Sequence, residues 1–222
     1  CYSLIMALNI NGTTGISGVD GSVSAPAVTG TDSNTGITFP SADTIKFSTG
    51  GVERMAITNS GVSGITAGIT MMDQWRLSTA ISLSSGAGDL TSNWERNDNN
   101  FFSGIGSAMT ESSGLFSFPV TGIYLIMVEF VFASSGATYQ GFSIRATQDN
   151  GTNFTNIGQS YGGSKSNSGS EYDSVVSITT FDVTNTSNDK FKIQYEVNTS
   201  VTIDGNSTTQ RSGLTVIRLG DT

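Results

Sequence analysis

The sequence predicts an all-β protein, and three observations carry that prediction. Several segments alternate apolar and polar residues with a period of two, the pattern of a strand with one solvated face. In "DKFKIQYEV" (189–197), Phe191, Ile193, Tyr195 and Val197 share one face, and Lys190, Lys192, Gln194 and Glu196 the other. "WRLSTAISL" (75–83) does the same with Trp75, Leu77, Ile81 and Leu83. Few windows space apolar residues at i, i+3 and i+4, and 27 glycines among 222 residues interrupt helical patterns throughout. The third observation is "FPVTGIYLIMVEFVF" (118–132), rich in β-branched and aromatic residues and bounded by Gly-containing turns, which marks a strand. A membrane-spanning helix needs about 20 apolar residues. Pro119 and Gly122 at one end and Glu129 near the other leave too few, so no membrane insertion is expected. The run also lies mid-chain, away from where a secretory leader sits.

As a strand, this run places Tyr124, Ile126, Val128 and Phe130 on one face and Ile123, Leu125, Met127 and Val131 on the other. Both faces are apolar. Strands of that kind normally lie in parallel sheets covered by helices on both sides, and this sequence supplies almost no helix. Another copy of the chain is the simplest cover. Tyr124, Ile126, Val128 and Phe130 are therefore core or subunit-interface positions.

Composition excludes several functions. Ten Lys and Arg against 18 Asp and Glu leave a net charge of −8, with no basic cluster, so nucleic acid is not an expected partner. The absence of histidine removes Ser-His-Asp and Cys-His catalysis and His-ligated zinc. The single cysteine, Cys1, provides neither a disulfide framework nor a thiolate metal site. Two carboxylate pairs remain, Glu95 with Asp98 and Glu171 with Asp173, and a glycosidase needs only such a pair. Acids this close in sequence are more simply solvated loop charges. "NWERNDNNFF" (93–102), with Trp94, Glu95, Arg96 and Asp98, reads as a loop anchored by one Trp. No enzyme activity, metal or cofactor is expected.

The chain divides by composition into an extended N-terminal arm or shaft, residues 1–68, and a head, residues 69–222. In the arm, isolated Ile and Val stand among Gly, Ser, Thr and Asp, too sparse for a core. Residues 37–65 are more ordered. "TIKFS" and "ERMAIT" flank Gly50-Gly51, a hairpin signal. One such hairpin is marginal by itself, whereas three copies around an axis can share a narrow core.

"TIKFSTGGVERMAITNSGVSGI" resembles a stretch common in bacteriophage tail fibres and other phage structural proteins, especially marine ones, where strand, Gly turn, "ERM", strand and "SG" recur along trimeric shafts. "MALNINGTTGISGVDGS" resembles the opening of such proteins. Met6 is thus the expected natural start, with "CYSLI" an expression addition or an extended reading frame.

"SSGLFSFPVTGIYLIMVEF" (112–130) resembles the hallmark of the complement globular-head and tumour-necrosis-factor superfamily, with Phe116, Phe118, Pro119, Gly122 and Tyr124 on its pattern. "SGLTVIRLGDT" (212–222) resembles the last strand of such heads. The resemblance implies a jelly-roll sandwich that assembles as a homotrimer, with one face of strand 120–132 on the sandwich core and the other on the threefold axis. No Gly-X-Y collagen stalk precedes the head, so complement partners do not carry over, and no family calcium site matches any residue.

Together these readings lead to the expectation of a phage virion structural protein. It would be a trimeric tail fibre or spike whose arm joins other virion proteins and whose head meets a host receptor or glycan. A trimeric capsid decoration protein is the alternative, and a spike-borne polysaccharide-degrading enzyme a third reading. Receptor contact is expected in head loops remote from the arm. Counting strands backwards from the last one, with each assumed to cross the full height of the head, puts three loops at that apex. They carry Asp204, Asn206 and Thr208; Asn185 and Thr186; and Asp149, Asn150 and Gly151. The same count puts the Gly/Ser loop 161–169 at the base.

Overall fold

The computed structural model describes the backbone of residues 9–11 and 15–17, and residues 20–64, 68–163, 169 and 171–222 in full. Among these, strands and turns make up the fold and no helix forms. The chain consists of two compact units, Cys1–Gly68 and Ile69–Thr222.

In the first unit, β1 (Asn9–Asn11) pairs with β2 (Gly15–Ser17), and β3 (Gly21–Ser22) with β4 (Ala25–Pro26). β5 (Val28–Thr29), β6 (Gly36–Thr38), β7 (Ile45–Thr49), β8 (Val52–Thr58) and β9 (Gly61–Ser63) form an antiparallel meander. The expected hairpin is β7–β8. Its two-residue turn holds Gly50 at φ 59° and Gly51 at φ 73°, the pair of positive φ values that a type I′ turn requires. Thr38, Ser48 and Ala56 are buried in the meander, while Val28, Phe39, Ile45, Val52, Ile57 and Val62 are exposed.

The head is a sandwich of two antiparallel sheets. Its strands are β10 (Met72–Leu77), β11 (Thr79–Leu83), β12 (Gly86–Asp89), β13 (Trp94–Arg96), β14 (Thr110–Ser112), β15 (Leu115–Ser117), β16 (Gly122–Ser134), β17 (Gln140–Thr147), β18 (Thr155–Gly162), β19 (Glu171–Val183), β20 (Lys190–Val197), β21 (Val201–Asn206) and β22 (Gly213–Gly220). One sheet runs β19, β16, then β21 and β22, then β10 and β11, with β13 on the edge of β10. The other runs β14, β15, β20, β17, β18, with β12 also on β20.

The long run 118–132 supplies β16, the strand at the centre of the first sheet. Tyr124, Ile126, Val128, Phe130 and Phe132 point into the sandwich and are fully buried. They meet Phe142 and Ile144 of β17 and Phe191 and Ile193 of β20, with the Phe130 and Phe142 ring centroids 4.9 Å apart. The hallmark aromatics form one continuous cluster. Phe116 stacks on Phe191 at 5.0 Å, Phe118 lies 4.5 Å from Tyr124, and the Tyr124 hydroxyl donates to the Val120 carbonyl at 2.8 Å. Burial pushes the Tyr124 phenol up, against the opposing pull of Arg218 and of that hydrogen bond. Gly122 is needed where the run turns into the strand. Its φ is 145°, and a Cβ there would lie 2.5 Å from both the Gly220 carbonyl oxygen and the Arg218 Nε.

The register corrects the loop placement expected from strand counting. Residues of β21 and β22 pair with the same edge of β16 in succession: Ile203 faces Phe132, and Gly213 faces Glu129. The two strands run in the same sense, as one crossing interrupted by an excursion over 207–212. β10 and β11 likewise form one crossing, broken at Ser78. Treating each of these strands as a full-height crossing inverts the parity. Loops 148–154 and 184–189, carrying Asp149, Asn150, Gly151, Asn185 and Thr186, therefore lie at the end where the head begins at Met71 and where Gly220 faces Ile123. β18 ends at Gly162 and β19 begins at Glu171 at the opposite end of the head; of the Gly/Ser segment 161–169, residues 164–168 are outside the described residues. The loop with Asp204, Asn206 and Thr208 leaves the sheet beside residues 129–132 of β16, in the half nearer Ser134 and so on the side of the end opposite Met71, where strand counting expected it.

Candidate functional site

The outward face of the first sheet is the most distinctive surface of the head. Along β16 the odd-numbered positions point away from the core, and Ile123, Leu125, Met127 and Val131 leave only Glu129 charged. Their neighbours extend the same character. Met127 faces Ile178, and Glu129 faces Val176 across the β16–β19 ladder, while Leu125 faces Ile217 on β22. Ile178 is 60% exposed, and Tyr172, Val176 and Leu219 are also exposed. A shallow cleft of about 260 Å³ opens in this face between Met127, Val176, Ile178, Leu214, Gln74 and Gln210. An apolar surface of this extent on one face of a sheet is the usual mark of a contact with another molecule.

A charged network lies beside it on β10 and β13. Asp73 is fully buried and accepts four hydrogen bonds: from the Gln74 and Met109 amides, both at 2.9 Å, from Arg96 Nε at 2.7 Å and from the Trp75 indole at 3.3 Å. Arg76 is also fully buried. It donates to Glu95 at 2.9 Å, Asn97 at 3.0 Å and Asp98 at 2.5 Å. The acids of "NWERNDNNFF" thus close on a guanidinium, which fixes the segment rather than leaving Glu95 and Asp98 as a free pair. Trp94 anchors it as the sequence suggested. Its indole donates to the Leu90 carbonyl at 2.9 Å, and its ring meets Phe116 edge-on at 5.0 Å. Alternation along β10 marks Arg76 as solvated; only the fold-back of 95–98 buries it.

Two of the three expected receptor loops come together. The Asn150 amide donates to the Asn188 carbonyl at 3.1 Å, and Lys190 Nζ to Asn150 Oδ1 at 2.5 Å. Each loop is pinned by a carboxylate. Asp189 accepts the Thr184 and Asn185 amides at 2.7 and 2.8 Å. Asp149 accepts the Asn153 amide at 2.9 Å, the Thr147 hydroxyl at 2.6 Å, the Asn153 side-chain amide at 2.7 Å and the Thr152 amide at 3.0 Å. These donors, the Asn153 backbone amide foremost, lower the Asp149 carboxyl to about 2. The third loop stands apart. Asn206 Oδ1 accepts the Thr208 and Thr209 amides at 2.8 Å, Asp204 pairs with Arg211 at 2.6 Å, and the Thr208 carbonyl accepts Asn99 Nδ2 at 3.1 Å.

At the opposite end of the head, Tyr139 and Tyr161 pack edge to face at 6.0 Å, both partly exposed. Tyr161 lies over Gly141, where a Cβ would come within 2.4 Å of its ring, and its hydroxyl donates to Glu196 and accepts from Gln159. Burial, then the bond to Glu196, pushes the Tyr161 phenol up. Strand counting passes over this pair because it assigns loop 161–169 to the base.

No protein-family model matches the chain, and no curated protein matches it in sequence. Solved structures match it in fold. Eiger TNF from S. frugiperda is 12% identical, aligned over 70% of this chain and 96% of its own, with a TM-score of 0.52. Murine APRIL is 12% identical over 67% of this chain and 99% of its own, with a TM-score of 0.48. The head has the jelly-roll fold of tumour-necrosis-factor-like proteins.

Proposed function

We propose that this chain is a virion structural protein, a homotrimeric phage tail fibre or spike whose arm joins it to other virion proteins and whose head touches the host surface. The observation that carries the reading is the outward face of β16 and β19, where Met127, Val176 and Ile178 lie uncovered by any other part of the head. The exposed apolar residues of the arm support the same self-association. Three copies of a 23.2 kDa chain make a particle of about 70 kDa. Light scattering that finds only monomer at micromolar concentration overturns the assembly. Labelled antibody on virions tests the location: label on the tail supports a fibre, and label over the shell supports capsid decoration instead.

Host contact, for a receptor or glycan, belongs at the end of the head opposite Met71. There Tyr139 and Tyr161 offer exposed aromatic faces beside Glu196 and Gln159. Asp149, Asn150, Gly151, Asn185 and Thr186 lie at the other end, and Asp204, Asn206 and Thr208 on the tyrosines' half of the sheet, short of its end. Tyr139→Ala with Tyr161→Ala should abolish adsorption to host cells while replacement of residues 149–151 should not. The reverse result returns receptor contact to the loops favoured by strand counting.

A further inference from the structure

Phe101 is 98% exposed, although the next residue, Phe102, is partly buried. A loop free to move would fold such a ring against the protein, but this loop is held. Asn99 Oδ1 accepts the Phe101 amide at 2.9 Å, the Asn99 carbonyl accepts the Phe102 amide at 2.9 Å, and Asn99 Nδ2 donates to the Thr208 carbonyl at 3.1 Å. Asn97 Oδ1 accepts the Asn99 amide at 3.0 Å and also the buried guanidinium of Arg76 at 3.0 Å. The Asn97 amide in turn donates to the Gln74 carbonyl at 2.9 Å. The charged network described above therefore ends in an aromatic ring presented to solvent.

The cleft walled by Met127, Val176 and Ile178 lies on the same side of the head. Gln74 and Gln210 border both this cleft and the depression beside Phe101. One surface thus carries an apolar knob and, next to it, an apolar hole of about 260 Å³ that its own knob leaves open. A knob and a hole at different places on one chain let every copy be satisfied by a heterologous contact, which repeats around an axis and closes into a ring when the rotation allows.

We infer that Phe101 of one copy of this chain inserts into the cleft on the outward face of β19, β16, β22 and β10 of the next copy and is the anchor of the subunit interface. The occupant of the cleft is a second copy because the complementary group stands on the same face, held rigid, with no place on its own molecule. A buried aromatic at the centre of an interface commonly dominates its affinity. This inference rests on the proposed trimer and adds which residue holds it.

The test is a dilution series of the full-length chain by light scattering, with circular dichroism as the folding control. Phe101→Ser should weaken association roughly a hundredfold, leaving the β spectrum unchanged because the exposed ring is not part of its own chain's core. Phe101→Leu should restore part of the loss. Ile178→Ser should weaken association as well, and adding it to Phe101→Ser should cost little more, since both remove the same contact. A wild-type trimer that Phe101→Ser leaves intact overturns the anchor and spares the trimer. Additive losses from the two substitutions overturn the pairing of knob with cleft. A wild-type chain that stays monomeric overturns both readings.

Discussion

The arm and the head are built from the same kind of strand, yet only the head encloses its apolar side chains. In the head, β16 lies under a second sheet, and Tyr124, Ile126, Val128, Phe130 and Phe132 are all fully buried. In the arm, the five-stranded meander β5–β9 buries Thr38, Ser48 and Ala56, while Val28, Ile45, Val52, Ile57 and Val62 remain exposed. The difference is one of layers rather than strand quality. A sheet shields its apolar face only when something packs on it, and the meander is a single layer where the head has two. The head's own outward face repeats the arm's condition on a smaller scale.

The largest expected effect comes from reversing this contrast at two adjacent residues. Val128→Asp places an unpaired carboxylate in the sandwich and should cost more than about 4 kcal/mol, leaving no folded head. Met127→Asp, one position along and outward, should change the stability of the single head by about 1 kcal/mol or less while abolishing assembly. Chemical denaturation with light scattering separates the two. Equal stability losses from both would mean that the faces do not differ as described.

Arg76→Ala should be next. It removes the centre of the network formed with Glu95, Asn97 and Asp98 and should destabilise the head by about 3 kcal/mol, the low end for a buried pair because the two acids keep some solvent contact. Loss of the fold-back of 95–98 should accompany it, visible as faster amide exchange in that segment. A change below about 0.5 kcal/mol would show that the network is ornamental to stability.

Removing the arm should matter less to the head. A chain starting at Met71 should keep its melting temperature within about 3 °C, since the core residues all lie from Met71 onward. The arm by itself should lack a cooperative transition. A head that fails to fold without residues 1–70 would erase the contrast between the units.

The smallest effect is local. Asp149, held at about 2 against an ordinary 3.8, favours the folded loop at any pH above about 4, and that contribution fades as pH falls toward 2. The Asn153 amide resonance should shift over that range and stay flat in Asp149→Asn. A midpoint near 4 would show that the turn does not hold the carboxylate.

The strands themselves are legible from consecutive residues. β16, β20 and the β7–β8 hairpin follow from alternation, β-branched residues and Gly50-Gly51, because side-chain direction and turn conformation depend on neighbours a few positions away. The hallmark run with Phe116, Phe118, Gly122 and Tyr124 indicates the sandwich. What stays hidden depends on residues far apart in the chain. Arg76 alternates as a solvated residue and is buried only because Glu95, Asn97 and Asp98 fold over it. Phe101 stands in an ordinary Asn-rich loop until Asn99 reaches the Thr208 carbonyl, and the parity of the loops depends on β21 and β22 sharing one edge of β16. Period and turn chemistry are properties of consecutive residues, so the sequence by itself determined that this is an all-β chain with a two-faced central strand. Register, burial of charge and which end a loop occupies arise from pairings across tens to more than a hundred residues, and only the tertiary structure decided those.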